Sequence, residues 1–390
     1  MKKVIKSIKV MLLPNNKQKS KLFQYAGAKR FAYNWALAKE QENYKNGGRF
    51  ISDNDLRKDF TQLKKIEEYK WLNNISNNVT KQAIKDACIA FGGFFKHQAK
   101  YPKFKSKKHD KPSFYQDNIK IKFTETHMKF EGFTNSKKQN KQKLNWVRLT
   151  EHNRIPVNSR YINPRISFDG INWWISVGIE YEQSLDLPKN KGIGIDLGIK
   201  DLAICSDGNT YKNINKTQKV KIIEKKRRRL QRQVSRKYEN NRKGVCYKKT
   251  SNIKKLENKL LKINHRLTNI CHNYLHQTTT EITNRKPMFI VLESLNVKGM
   301  MKNKHLAKTI QQQCFYEFYR QIQYKCNWNN IKFIEADKWY PSSKTCSECG
   351  AIKKDLKLSD RIYVCPECGC IIDRDYNASI NLMKYGQSIA

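Results

Sequence analysis

Four cysteines stand in two pairs, Cys346-Ser347-Glu348-Cys349-Gly350 and Cys365-Pro366-Glu367-Cys368-Gly369, with 15 residues between the pairs. Thiolates at this spacing suit a tetrahedral Zn²⁺ held by Cys346, Cys349, Cys365 and Cys368, since two intervening residues let each pair close as one tight knuckle. The glycine after each pair permits the turn that aims backbone amides at sulfur. An iron site of similar spacing and a redox dithiol are the alternatives, and the adjacent Cys370 is read as a bystander. A ribbon of this kind serves structure or nucleic-acid contact, so zinc alone implies no catalysis.

Carboxylates form the second set. Asp196 sits inside the apolar run Gly192–Lys200 (GIGIDLGIK), Glu293 closes Phe289-Ile290-Val291-Leu292, and Asp375 enters a short helix in Ile372-Asp373-Arg374-Asp375-Tyr376. A buried carboxylate is costly unless it is paired, protonated or bound to a cation. Three acids converging at strand and helix ends could hold two Mg²⁺ or Mn²⁺ ions about 4 Å apart, activating a water and stabilising the leaving oxygen of a phosphodiester. Mg²⁺ keeps several waters, so few carboxylates suffice. Singly, each acid has a plainer reading: Asp196 as a turn residue, Glu293 as a surface strand terminus, Asp375 as a helix N-cap. Asp373 competes with Asp375 for the third place.

The elements that must position these residues follow from periodicity. Val4, Ile8, Val10 and Leu12 alternate with lysines as a strand over residues 1–14, and Pro14 opens a helical region to about residue 100. Short alternating runs over 119–123, 128–130, 146–149, 161–168 and 173–179 read as strands of a small barrel or sandwich that the first strand joins. After the Asp196 run, Leu202–Cys205 and the turn Asp207-Gly208 signal a hairpin. Ile253, Leu256, Leu260, Ile263, Leu267, Ile270 and Tyr274 form a heptad seam, and a helix over 305–328 leads into a strand over 332–336.

Seventy-eight Lys+Arg against 34 Asp+Glu leave a net charge of +44, which resists compaction and calls for a polyanionic partner. Aromatic residues, 11% of the chain, are interleaved with that charge and could stack on bases. No run of about 18 apolar residues marks a membrane span. The N-terminal MKKVIKSIKV is broken by Lys6 and Lys9 and lacks a small-residue cleavage site, so it reads as a strand of a cytosolic protein rather than a signal peptide.

Taken together, the motifs resemble the TnpB (OrfB) proteins of insertion sequences, relatives of the type V CRISPR effector nucleases. The resemblance rests on GIDLG around Asp196, Ile290–Val297 (IVLESLNV), Trp339–Gly350 (WYPSSKTCSECG), the second CxxC and Asp373–Ser379 (DRDYNAS). Leu230–Lys237 (LQRQVSRK), Tyr101–Lys105 (YPKFK) and Arg30–Leu37 (RFAYNWAL) extend it over essentially the whole chain. It implies a multidomain α+β and α/β chain. An N-terminal β-barrel (wedge-type) domain would comprise residues 1–14 and 101–187, with a helical recognition lobe, 15–100, inserted in it. An RNase H-like (RuvC-type) nuclease domain would span 188–340 and 371–390, with a helical hairpin at 219–284, and a zinc ribbon at 341–370 inserted before the third acid.

The resemblance further implies that Asp196, Glu293 and Asp375 are the catalytic metal ligands of an RNA-guided DNA endonuclease encoded by a transposable element. Its partners would be a guide RNA and double-stranded target DNA bearing a short adjacent motif. The expected form is a monomer in the cytoplasm, on the nucleoid. Lys103, Lys105, Lys107 and Lys108, with Arg227, Arg228, Arg229, Arg232 and Arg236, are the expected nucleic-acid contacts. Two rivals remain: a nucleic-acid-binding regulator with an inactive nuclease fold, and a DNA strand-transferring transposase.

Overall fold

The computed structural model describes residues 2–132, 144–183, 187–357 and 360–389. It divides into two units, residues 3–181 and residues 182–390, the latter joined by residues 1–2.

In the first unit, β1 (Lys2–Leu13) alternates lysines with inward Val4, Val10 and Leu12. Helix α1 (Asn16–Lys45) begins at a reciprocal cap: the Gln18 amide donates to the Asn15 side chain and the Asn15 amide to that of Gln18, both at 2.9 Å. Ser52 and Ser76 cap α2 (Asp53–Leu63) and α3 (Asn77–Phe95). The strands β2 (Ser113–Tyr115), β3 (Lys122–Phe123), β4 (His127–Lys129), β5 (Trp146–Leu149), β6 (Tyr161–Phe168) and β7 (Trp173–Gln183) join β1 in one sheet of order β2-β6-β7-β1-β5-β4-β3. Leu12 pairs with Leu149, so α1–α3 are inserted between two strands of one sheet. Leu22, Tyr25 and Phe91 from the helices share a core with Phe114, Val147 and Trp173 from the sheet. The strand expected over 119–123 shrinks to two residues, because the Asp117 carboxylate accepts from the Ile119 and Lys120 amides and holds a turn there.

The second unit is built on β8 (Ile193–Leu197), β9 (Asp201–Cys205), β10 (Thr210–Lys212), β13 (Phe289–Glu293) and β14 (Lys332–Ala336), in the order β10-β9-β8-β13-β14. The first three form an antiparallel meander, and β13 runs parallel to both β8 and β14. Gly208, at φ +86°, makes the tight turn between β9 and β10. Helices α4 (Gln218–Asn240) and α5 (Ser251–Asn284) flank a ladder of β11 (Arg242–Lys243) and β12 (Cys246–Tyr247). Of the seven seam residues on α5 only Ile253 is fully buried. The deeper face is Cys271, Leu275 and Ile282, which packs on the sheet with α8 (Phe315–Trp328). Before α8 come α6 (Val297–Met300) and α7 (Ala307–Gln313). The single helix expected over 305–328 is two, because Cys314 adopts a left-handed conformation (φ 54°) that interrupts it. The hairpin of β15 (Ile362–Val364) and β16 (Ile371–Asp373) runs directly into α9 (Arg374–Ile389). No helix of the described residues is long and apolar enough to cross a membrane.

Candidate carboxylate and cysteine sites

Strands β8 and β13 pair in parallel with Leu292 opposite Ile195, so the next residues along, Glu293 and Asp196, stand level on neighbouring strands. Side chains alternate along a strand, which sorts the two faces. Ile193, Ile195, Ile290 and Leu292 enter the core with α5 and α8, whereas Phe289 and Val291 pack with Leu382 of α9. Asp196 and Glu293 therefore share the face that α9 covers. Both are half-buried.

Helix α9 lies unusually close to β8. A Cβ on Gly194 would meet the Ser379 carbonyl oxygen at 2.1 Å and the Met383 amide nitrogen at 2.3 Å, and a Cβ on Gly386 would strike Phe289 and Val291. Glycine at these positions lets the helix press on the sheet, with its first turn, and so Asp375, toward the acid ends of β8 and β13. The choice between Asp373 and Asp375 has a geometric basis. The Asp373 carboxylate caps α9, accepting from the Asp375 and Tyr376 amides at 3.0 Å. Asp375 faces cations instead: the Arg374 guanidinium donates to its Oδ1 at 3.1 and 3.2 Å, and Arg361 stands 3.8 Å from its Oδ2.

Burial and the negative charges of Asp375 and Glu293 push the Asp196 carboxyl up from 3.8 to about 8, with Arg374 opposing. Burial also raises Glu293. A one-faced, all-oxygen set that resists ionising together lacks a positive charge, and it fits Mg²⁺ or Mn²⁺ by donor type. The carboxylates are more open than the thiolates: among the described residues only the cysteine group brings three or more potential ligand atoms within 4.8 Å of one another.

That group is Cys346, Cys349, Cys365 and Cys368, with Sγ atoms of Cys346 and Cys368 3.6 Å apart and those of Cys349 and Cys365 3.5 Å apart. Gly350 and Gly369 sit at φ +80° and +69°, the conformation each knuckle turn requires. All eleven cysteines are free thiols, and four converging sulfurs fit Zn²⁺. Cys370 stays outside the group, and its backbone carbonyl accepts from the Cys365 amide. Side chains of α9 grip the first knuckle: Asn377 accepts from the Ser347 amide (2.9 Å) and donates to Thr345 O (2.7 Å), while Asn381 donates to Ser342 O and Thr345 O.

Among the expected nucleic-acid contacts, Lys103, Lys107, Lys108, Arg228, Arg229, Arg232 and Arg236 are exposed, while Lys105 is paired to Asp110 at 3.4 Å. Arg227 is half-buried, with its Nε unpartnered. Sequence reasoning missed Arg361, Arg374 and the buried Gln313, whose amide donates to Gly198 O and Ile199 O and so steadies the loop after Asp196. Arg374 was visible between two acids. Arg361 and Gln313 carried no local signal, since their roles depend on folding.

Residues 176–304 match the OrfB_IS605 family model described as "Probable transposase", residues 315–382 a "Cas12f1-like, TNB domain", and residues 1–49 a "Helix-turn-helix domain" of the OrfB_IS605 group. The described part of that last span is one strand and one helix, β1 and α1. A putative RNA-guided DNA endonuclease InsQ of Escherichia coli K12 is 28% identical over 99% of this chain and 94% of its own length. A putative RNA-guided DNA endonuclease of Streptomyces pristinaespiralis is 28% identical over 99% and 90%. Among solved structures, a Cas12f1–sgRNA–target DNA complex has a protein chain that superposes with a TM-score of 0.61 at 12% identity, covering 98% of this chain and 99% of that one.

Proposed function

We propose that this chain is a member of the TnpB (OrfB) family of insertion-sequence proteins and an RNA-guided DNA endonuclease whose site is Asp196, Glu293 and Asp375. The observation that carries the site is the close approach of α9 to β8 at Gly194, which directs a third carboxylate toward two that already share a sheet face. The sheet order, an antiparallel meander followed by two parallel strands, supports an RNase H-like, RuvC-type reading of residues 188–340 and 371–390. The sheet of β1–β7 would be the wedge-type barrel domain, α1–α3 the recognition lobe, and the cysteine group the zinc ribbon.

Bound Mg²⁺ or Mn²⁺ would supply an activated water and charge stabilisation at the leaving oxygen of the DNA phosphodiester. The residues do the rest. Asp196, Glu293 and Asp375 offer oxygen ligands on one face. Gln313 steadies the loop after Asp196, and the Asp373 cap fixes the first turn of α9. The excess of basic residues would hold guide RNA and target DNA together.

The test is cleavage of a guide-matched plasmid in Mg²⁺ by wild type and Asp196→Ala, with copurifying RNA sequenced from both. Cleavage lost with RNA retained is the expected result. Cleavage retained by Asp196→Ala removes the site assignment, and joined rather than cut DNA ends would favour a strand-transferring transposase.

A further inference from the structure

In the first unit an open cavity of about 720 Å³ lies between α1, the segment 107–112 and the β6–β7 turn. Its floor is apolar. Phe23 is 45% exposed there, while Phe168 and Trp173 meet it edge-on at 5.2 and 5.0 Å and fix the ring in place. One helical turn later Gly27 leaves open space, with nothing within 4 Å of where a Cβ would be. Arg30 follows on the same face of α1.

The rim is cationic. Arg30, Lys107, Lys108 and Lys111 line the cavity, and among the described residues none has a carboxylate partner. Two acids, Asp110 and Asp169, line the cavity as well, and both carboxylates are occupied. Asp169 accepts from the Ile171 and Asn172 amides and the Trp174 indole, and Asp110 from the Ser106 amide and Lys105. The basic segment is fixed to α1, because Asn34 exchanges two hydrogen bonds with the Lys105 backbone, at 2.7 and 2.8 Å.

A fixed, half-exposed aromatic ring beside four cations without carboxylate partners matches one ligand chemistry: a nucleotide whose base is free to stack and whose phosphates carry the opposite charge. We propose that this cavity seats an unpaired nucleotide of the bound guide RNA, with the base on Phe23 above Gly27 and the backbone phosphates on Arg30, Lys107, Lys108 and Lys111. RNA is favoured over target DNA because duplex bases are already stacked on both faces, whereas a guide strand presents unpaired ones. The seat rests on the RNA-guided reading above and adds to it a defined contact.

The test is photocrosslinking of the full chain to an RNA oligonucleotide carrying 5-iodouridine and to its deoxyuridine counterpart, with adducts mapped by mass spectrometry. An RNA adduct on Phe23 is expected. Phe23→Leu, which keeps the apolar packing against Phe168 and Trp173, should lose the adduct and bind RNA roughly tenfold more weakly with an unchanged salt slope; Phe23→Trp should restore both. Replacing Lys107, Lys108 and Lys111 together by Gln should instead lower the salt slope by about 2. Adducts confined to other regions, a preference for the DNA probe, or unchanged RNA affinity in Phe23→Leu would each overturn the seat. With guide-directed cleavage by wild type intact, that failure leaves the nuclease reading standing; loss of guide dependence in wild type would overturn the nuclease reading itself.

Discussion

Gly194 and Ser379 define how close α9 lies to β8: a Cβ on Gly194 would stand 2.1 Å from the Ser379 carbonyl oxygen. Backbone atoms are on the other side of the contact, so no side chain can swing away to make room. Gly194→Ala is therefore expected to lift the helix and destabilise the chain by about 1–3 kcal/mol. Asp375 rides on the first turn of that helix, so DNA cleavage should fall as well. Urea unfolding and plasmid cleavage check the two effects together; an alanine variant unchanged in both would show that the close packing is dispensable.

A second expectation concerns pH. With its carboxyl raised from 3.8 to about 8, folded metal-free Asp196 keeps a proton that the unfolded chain releases. The folded state binds more protons across that window, so this residue's contribution to stability is present at low pH and declines as pH rises toward 8. Asp196→Asn removes the titration. In thermal melts without divalent metal, the variant should gain on wild type by a few degrees between pH 5 and pH 8. Adding Mg²⁺ at pH 8 should stabilise wild type and leave the variant behind. A constant difference across pH would place Asp196 in water rather than in an acidic cluster.

How much of this was legible in the sequence depends on range. The CxxC spacing and its glycines encode the cysteine group locally, and the structure gathers those four sulfurs. Glu293 also reads as closing its apolar run, and β13 ends on it, while Asp196, read inside its run, is the penultimate residue of β8. What the sequence could not supply was the contact between distant segments. Nothing local in Gly192–Lys200 shows that a Cβ on Gly194 would meet the backbone of residues 379 and 383. Arg361 reaches Asp375 only through the β15–β16 hairpin, in which Ile362 pairs with Asp373. The break at Cys314 was invisible because nothing in its composition resembles a turn; Gln313, beside it, is buried against the Gly198 and Ile199 carbonyls. On α5 the heptad seam is apolar, but the sheet competes for the helix and takes the face of Cys271, Leu275 and Ile282.

The cysteine group is tied to α9 by Asn377, which is fully buried and bonded to Ser347 and Thr345. Ser347 lies between two of the thiolates, so this amide supports the knuckle from behind. Asn377→Ala leaves the buried Ser347 N–H without a partner, while Thr345 O keeps its bond from Asn381, at a cost of about 1–3 kcal/mol. It should also weaken zinc retention by roughly 10–100-fold, the usual effect of losing a group that orients a metal ligand. Competition with a chromogenic chelator measures the affinity. Zinc bound as tightly by the variant as by wild type would separate the ribbon from the helix.

The arginines of α4 allow a test that needs no knowledge of the guide sequence. Arg228, Arg232 and Arg236 recur every four residues, so they form one exposed stripe along the helix. Like Arg229 beside them, they have no carboxylate partner among the described residues. Each phosphate that such a residue neutralises releases a counterion, which makes the salt dependence of binding a count of contacts. Changing the three stripe residues to Gln should reduce the slope of log affinity against log salt by about 2 on single-stranded RNA. Affinity should drop most at low salt and converge with wild type as salt screens the remaining charge. A parallel shift with unchanged slope would mean that the variant had lost folded protein rather than phosphate contacts, and an unchanged curve would take this stripe out of the nucleic-acid surface.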